Sequence, residues 1–346
     1  MNIYRVIKYL GIGAIPGWLK IAGLLGIYLL RRRIAGVYLD PVLACNLSCK
    51  MCYFSDPSKR SELKGIITES TIEMLEKNVF PYTVKLQIGC GAEPTLYKHL
   101  PSLISRAKKS AIPYISLTTN GQLIASRKIS LKDMVDAGLD EITLSIHGTD
   151  RETYEYLMPG AGFDLLQNLI KQLSKIKKEK GNRFLIRLNF TINSLNLSNL
   201  RDNRFWEIWE ENGVFPDIIQ LRPVQKIGES AWTDFDLSSL KRDYHSTIGN
   251  IVSRAQKEGI TIMAPTLKSL DMVATPQGAS EAIIEDISYC YVSPTSVYKS
   301  DYDITSENIY SYLRRHHTGR LLLRSIFCRS KSRSSNVSKK LNYKVS

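Results

Sequence analysis

The 346-residue chain is predicted to adopt an α/β fold: an incomplete (βα)6 barrel with a solvated interior. An apolar helical segment precedes it and a short C-terminal extension follows. Three observations predict this. Strand-like and helix-like stretches alternate from residue 37 onward. Each strand carries one apolar and one polar face. The stretches between them repeat apolar residues at helical spacing.

Candidate strands are 37–42, 83–89, 113–119, 140–147, 183–192 and 217–223, with a seventh candidate at 259–264. Candidate helices are 69–79, 98–110, 130–137, 163–180, 198–211 and 236–258. In the fourth of these, Leu165, Leu166, Leu169, Ile170, Leu173 and Ile176 fall on one helical face and Gly181 ends it. Regular βα alternation implies a parallel sheet with crossover helices.

Strand parity carries a second message. Phe184, Ile186, Leu188, Phe190 and Ile192 alternate with Arg187, Asn189, Thr191 and Asn193. Ile142, Leu144 and Ile146 alternate with Thr143, Ser145 and His147, and Val84, Leu86 and Ile88 with Lys85 and Gln87. The apolar face belongs under the helices, so the polar face lines the interior. A full eight-stranded barrel packs that space with branched apolar side chains. A polar interior instead needs water or ligand. The competing reading, an antiparallel sheet with one wet face, fits poorly with the intervening helices.

With 43% hydrophobic and 23% charged residues, the composition is that of a globular protein. The net charge of +14 sits at the ends. Residues 1–39 hold six basic residues (Arg5, Lys8, Lys20, Arg31, Arg32 and Arg33) and no acid; residues 308–346 hold ten and no acid. The body between them has 31 basic and 33 acidic residues. A nucleic-acid-binding face would put the basic residues on the folded body, so none is expected.

The boundaries follow: 1–36, an apolar and basic helical segment; 37–265, the barrel; 266–328, a capping extension; 329–346, a basic disordered tail. Pro16 and Lys20 argue against a spanning helix in the first segment. Two readings stay open there, an interfacial helix anchored by arginines to an anionic membrane surface or a helix pair packed on the barrel. A secretory signal fits poorly, and clustered thiols suit a reducing compartment. The expected localisation is cytoplasmic, with peripheral attachment at the membrane face as the second reading.

Cys45, Cys49 and Cys52 form C-x-x-x-C-x-x-C directly after the first strand. Three thiols in eight residues point to a metal site. No fourth Cys or His follows at the spacing of a closed zinc site. Three thiolates on an iron–sulfur cluster would leave one iron open for another ligand.

This spacing resembles the signature of the radical S-adenosylmethionine (SAM) superfamily. The resemblance implies an incomplete TIM-like barrel, a [4Fe-4S] cluster on the three cysteines and SAM chelated at the open iron. It also implies reductive cleavage of SAM to a 5′-deoxyadenosyl radical, which takes hydrogen from a substrate. That substrate is unidentified, a peptide or an envelope lipid or sugar. An electron donor such as flavodoxin or ferredoxin is implied too. The family's bulky residue before the third cysteine is Met51 here, and its G-G-E-P loop reads Gly91-Ala92-Glu93-Pro94.

By the same resemblance Gly91, Ala92 and Glu93 face the methionyl end of SAM. Thr118 and Asn120 lie at the third strand's T-N-G turn, and Ser145, Asn189 and Thr191 are candidates for ribose or adenine contacts. Arg187 is the candidate for the SAM carboxylate, and His147 is either a proton donor or a hydrogen-bonded structural residue. Cys90 is expected to be packed, and Cys290 and Cys328 are too few for an auxiliary cluster. The alternative from another class is a non-catalytic metal-binding or membrane-associated scaffold on a degenerate barrel.

Overall fold

Strand parity and helix spacing are realised in a single, mostly parallel sheet. The computed structural model describes residues 15–225, 230–267, 270, 279–327 and 343–345. Residues 1–14, Cys328 and all of the expected tail except 343–345 lie outside the described residues.

The strands are β1 (Ala35–Leu39), β2 (Thr83–Ile88), β3 (Tyr114–Thr119), β4 (Glu141–Ser145), β5 (Leu185–Ile192), β6 (Ile218–Pro223), β7 (Thr261–Pro265), β8 (Tyr289–Ser293), β9 (Ser296–Val297) and β10 (Tyr343–Val345). Their order in the sheet is β10-β7-β6-β5-β4-β3-β2-β1-β8-β9. Pairing from β7 through to β8 is parallel, while β9 and β10 add antiparallel edges. The sheet curves as a partial barrel and does not close.

The helices are α1 (Gly17–Leu29), α2 (Pro57–Glu62), α3 (Glu69–Asn78), α4 (Leu100–Lys109), α5 (Gln122–Ala125), α6 (Leu131–Asp136), α7 (Arg151–Leu157) and α8 (Phe163–Lys180). They continue with α9 (Leu197–Arg201), α10 (Arg204–Glu210), α11 (Ser238–Arg242), α12 (Tyr244–Lys257), α13 (Ala279–Ser288), α14 (Ile309–Arg315) and α15 (Thr318–Phe327).

Register sorts the side chains by face, because partners on parallel strands point the same way. Leu39, Ile88, Leu117, Ile142 and Ile186 form one apolar row, and Leu144, Leu188, Ile219 and Ile262 another. All are buried under helices. The opposite face carries Tyr38, Gln87, Ser116 and Glu141 in one row, then Thr118, Thr143 and Arg187, then Ser145, Asn189 and Gln220.

Two helices expected as single pieces are broken. The 198–211 stretch divides into α9 and α10 where Asp202 accepts the Arg204 backbone N–H at 3.0 Å. The 236–258 stretch divides at Asp243, whose carboxylate takes the Arg201 guanidinium at 2.8 Å. Short acidic side chains compete with the helical ladder for backbone and cationic donors.

The extension after residue 265 also differs from a simple cap. α13 leads into β8, which lies parallel beside β1 and lengthens the sheet on that edge. Cys290 sits on β8, fully buried in the core. Cys90, expected to be packed, is exposed on the loop after β2.

The arginine block at 31–33 is divided in use. Arg33 turns inward and donates to the carbonyls of Phe80 (2.9 Å), Thr83 (3.2 Å) and Ser110 (3.1 Å), fastening the start of β2. Lys20 pairs with Glu281 on α13 at 2.8 Å. α1 therefore packs on the barrel wall through Ile21 and Leu24.

Candidate active site at the strand ends

The loop carrying the three cysteines leaves the C-terminal end of β1, and neighbouring loops hold it on several sides. Asp40, next after β1, is buried. Its carboxylate accepts the backbone N–H groups of Cys90 (2.7 Å) and Gly91 (3.0 Å) and the Tyr291 hydroxyl (2.9 Å). One carboxylate thus joins β1, the loop after β2 and β8. The Tyr53 hydroxyl, one residue past Cys52, donates to the Gly91 carbonyl. A Cβ on Gly91 would lie 2.5 Å from that hydroxyl oxygen, so this close approach requires glycine. Asp40, Tyr53 and Tyr291 were not picked out from the sequence. An acid directly after an apolar strand was the available signal for the first.

Other ties complete the frame. Ser48 and Lys50 donate their N–H groups to the carbonyls of Pro159 and Leu157, at 3.1 and 3.0 Å, and Arg60 donates to the Cys45 carbonyl at 2.8 Å. The Glu93 N–H reaches the Ala44 carbonyl at 2.9 Å, and the Asn120 amide reaches Asn46 Oδ1 at 2.9 Å. Cys45, Cys49 and Cys52 are all partly exposed on this frame. Met51 is buried, and its sulfur accepts from the Asn193 amide at 3.3 Å.

The Glu93 carboxylate is directed into the protein. Its Oε1 accepts from the Thr95 N–H (3.1 Å), the Thr95 hydroxyl (2.5 Å) and the Thr119 hydroxyl (2.6 Å), and its Oε2 from the Asn120 N–H (2.8 Å). Burial raises its pKa, and these hydrogen bonds oppose the rise. Glu93 and Asn120 therefore bind loop to loop. Thr118 is engaged by Gln87 Nε2 at 2.5 Å inside the barrel. Gly91 and Ala92 stand half-exposed beside the cysteine loop.

Beneath lies the polar, inward face of the sheet. Arg187 is consumed by the buried Glu141, at 2.8 Å, which also accepts from the Tyr114 hydroxyl at 2.6 Å. His147 is buried, and its Nδ1 accepts the Thr191 N–H at 3.1 Å. Burial, reinforced by the charge of Arg222, lowers its pKa to about 4, leaving a neutral ring. This favours the structural role for His147. Ser145 and Asn189 are neighbours in register. Among the described residues, the buried Oδ1 of Asn189 has no hydrogen-bond partner, nor has Thr149 Oγ1.

These features suit a bound metal cluster and cosubstrate. Burial raises the thiol pKa values, Cys45 to about 12 and Cys49 further, with the other two cysteines adding to the rise at Cys49. Cys52 is raised as well. Thiolates at these positions require a strong cationic partner. Among the described residues no three His, Cys, Asp or Glu side chains converge on one ion position. The orphaned Asn189 oxygen calls for a polar ligand in the chamber.

Comparison with known proteins agrees with this layout. Residues 40–197 match the family model described as the radical SAM superfamily. Proteins named probable GTP 3′,8-cyclase from Metallosphaera sedula and Sulfolobus acidocaldarius are 32% and 29% identical. The matches cover 52% and 57% of this chain and 53% and 59% of those proteins. The chain thus spans little more than half the length of these curated relatives. Streptococcus suis SuiB bound to its precursor peptide SuiA superposes with a TM-score of 0.57 at 13% identity, over 83% of this chain and 66% of that one. The anSMEcpe structure with bound AdoMet and a Kp18Cys peptide gives 0.53 at 17% identity, over 89% and 93%. These structural likenesses establish the fold. Residues 40–197, a little under half of the chain, thus carry the match to the radical SAM superfamily, whose members use a [4Fe-4S] cluster and S-adenosylmethionine.

Proposed function

We propose that the protein is a radical SAM enzyme in which Cys45, Cys49 and Cys52 ligate the cluster and SAM occupies the chamber below them. The observation that carries this is a three-thiol loop held in place by the β2 and β3 loops, over an interior with an unpartnered amide oxygen. When bound, the cluster and SAM supply a 5′-deoxyadenosyl radical that removes hydrogen from a substrate.

The protein's own part is positional. Asp40 and Tyr53 hold Gly91 and Ala92 beside the cysteine loop, leaving the Ala92 backbone available to the methionyl end of SAM. Met51, packed on Asn193, closes the side near the adenine. Ser145, Asn189 and Thr191 line the nucleoside side of the chamber. Glu93, Thr118 and Asn120 support these walls through the contacts described above. An electron donor of the flavodoxin or ferredoxin class would supply the electron that this chemistry needs. The substrate, a peptide or an envelope lipid or sugar, enters from the strand ends.

Anaerobic reconstitution tests the proposal. The wild-type chain should take up about four irons with broad visible absorption. Cys49→Ala should lose the colour and the formation of 5′-deoxyadenosine. Retained 5′-deoxyadenosine formation in Cys49→Ala, or uptake of a single zinc by the wild type, would overturn it; the zinc outcome favours a non-catalytic scaffold.

A further inference from the structure

The outer face of α1 is unusual for a helix in contact with water. Its inner face buries Ile21 and Leu24. A surface helix normally places charged or polar residues opposite its buried stripe. Here the opposite side consists of Trp18, Leu19, Ala22, Gly23, Leu29 and Leu30, with no charge among them. Trp18 is 55% exposed, Leu29 68% and Leu30 70%.

The neighbouring α15 continues the same surface. It packs against α1, where Gly319 comes close enough to Tyr28 that a Cβ would lie 3.1 Å from the ring. Its inner side buries Leu322, while Arg320, Leu323, Arg324 and Phe327 face outward, Phe327 at 80% exposure. Two helices far apart in sequence thus build one apolar surface.

Cations surround it. Arg31, Arg32, Arg314, Arg320 and Arg324 are exposed, and none pairs with an acid among the described residues. By contrast, Arg106, Arg151, Arg254 and Arg315 elsewhere on the surface all meet carboxylates. At the end of α1 a groove of about 350 Å³ lies between Tyr28, Tyr82 and Tyr310, with Arg31 and Arg314 at its sides. Tyr310 stacks on Tyr28, with ring centroids 5.7 Å apart, and donates to the Arg32 carbonyl at 2.6 Å. The groove is therefore built and cationic. It suits a phosphate head group lying beside apolar chains.

We propose that the α1–α15 surface docks on an anionic phospholipid bilayer. Trp18, Leu29, Leu30 and Phe327 enter the boundary between head groups and chains, and Arg31 and Arg314 receive a lipid phosphate. A 13-residue helix is about 20 Å long, against a hydrocarbon core of about 30 Å, so α1 lies on the membrane without crossing it. No helix among the described residues is long and apolar enough to span. Charge complementarity selects the bilayer over a second copy of the chain, because facing arginine rims repel.

The test is co-sedimentation of the full chain with vesicles of phosphatidylglycerol and phosphatidylcholine, compared with phosphatidylcholine alone. Binding to the anionic vesicles should be preferred and should fall as salt is raised. The double variant Arg31→Ala, Arg314→Ala should weaken it about 30-fold. The double variant Leu29→Glu, Phe327→Glu should abolish it while iron uptake and melting temperature stay unchanged. Undiminished binding by both variants would move the contact to other basic segments and overturn the proposal. So would a lipid-free dimer of the wild type that the Leu29→Glu, Phe327→Glu variant dissolves. Neither result bears on the cluster, so this proposal and the radical SAM reading can fail separately.

Discussion

The loops above β1–β3 and the strand ends of β4–β6 face the same chamber, yet they treat their polar atoms in opposite ways. Above β1–β3 the main acceptors are used within the protein: Asp40 takes Cys90, Gly91 and Tyr291, and Glu93 takes Thr95, Thr119 and Asn120. Around β4–β6, Asn189 Oδ1 and Thr149 Oγ1 are buried without partners among the described residues. A saturated network fixes geometry before anything binds, and an unsaturated one leaves a cost that a ligand can remove. The cysteine loop is thus pre-set by the protein, whereas on the proposed reading the β4–β6 side would be completed by a ligand.

The largest effect belongs to Glu93. Replacing it with alanine leaves the Thr95 and Asn120 N–H groups and two hydroxyls without their acceptor in a buried loop. Each lost acceptor costs a fraction of the usual 1–3 kcal/mol per orphaned group, so Glu93→Ala should lose about 3–5 kcal/mol of unfolding free energy. Iron uptake should fall with it, because the two loops it joins hold Ala44 and Asn46 of the cysteine loop. Denaturant titration of the two proteins gives the answer. A loss below about 1 kcal/mol would mean that the loops are not held by this carboxylate.

The next effect concerns His147, which stands between the two halves. Its pKa is lowered from 6.5 to about 4 by burial. Between those values the unfolded chain binds the proton and the folded chain does not, so this residue makes stability rise with pH across that window. The contribution is complete above about pH 6.5 and is lost as pH falls through 4, a swing of roughly 3 kcal/mol. Carboxylates titrate over part of the same range, so the informative quantity is the difference from His147→Gln. That variant should show a flatter stability profile between pH 4 and 6.5. Parallel profiles would place His147 in contact with water or a carboxylate.

Several of these features were readable from the chain alone. The C-x-x-x-C-x-x-C spacing is local, so no tertiary information was needed to see it. Strand parity was also legible, because a sheet with one wet face imposes period two whatever its connections. What could not be read depends on partners distant in sequence. Asp40 gains its role from Tyr291, 251 residues away, and β8 finds its place beside β1 only in three dimensions. Arg31, Arg32 and Arg33 look alike as a block, yet only Arg33 is drawn inward by the carbonyls of Phe80, Thr83 and Ser110. Glu93 and Asn120 are expected at the cosubstrate, but nothing in residue type separates a carboxylate that faces a ligand from one that ties the β2 loop to the β3 loop.

The smallest effect on stability, and the sharpest test of the contrast, is at Asn189. Its side-chain oxygen has no partner to lose, so Asn189→Ala should change unfolding free energy by less than about 1 kcal/mol. If that oxygen meets SAM, the same variant should bind SAM about 5- to 10-fold more weakly, the usual net value of one hydrogen bond. Equilibrium binding to the reconstituted protein separates these effects, with Thr191→Val as a companion, since Thr191 uses its backbone N–H on His147 and keeps its hydroxyl for the chamber. A variant that is much less stable but binds SAM normally would reverse the assignment. Asn189 would then belong with Glu93 among the groups that hold the barrel together, and the chamber would present its unsatisfied face elsewhere.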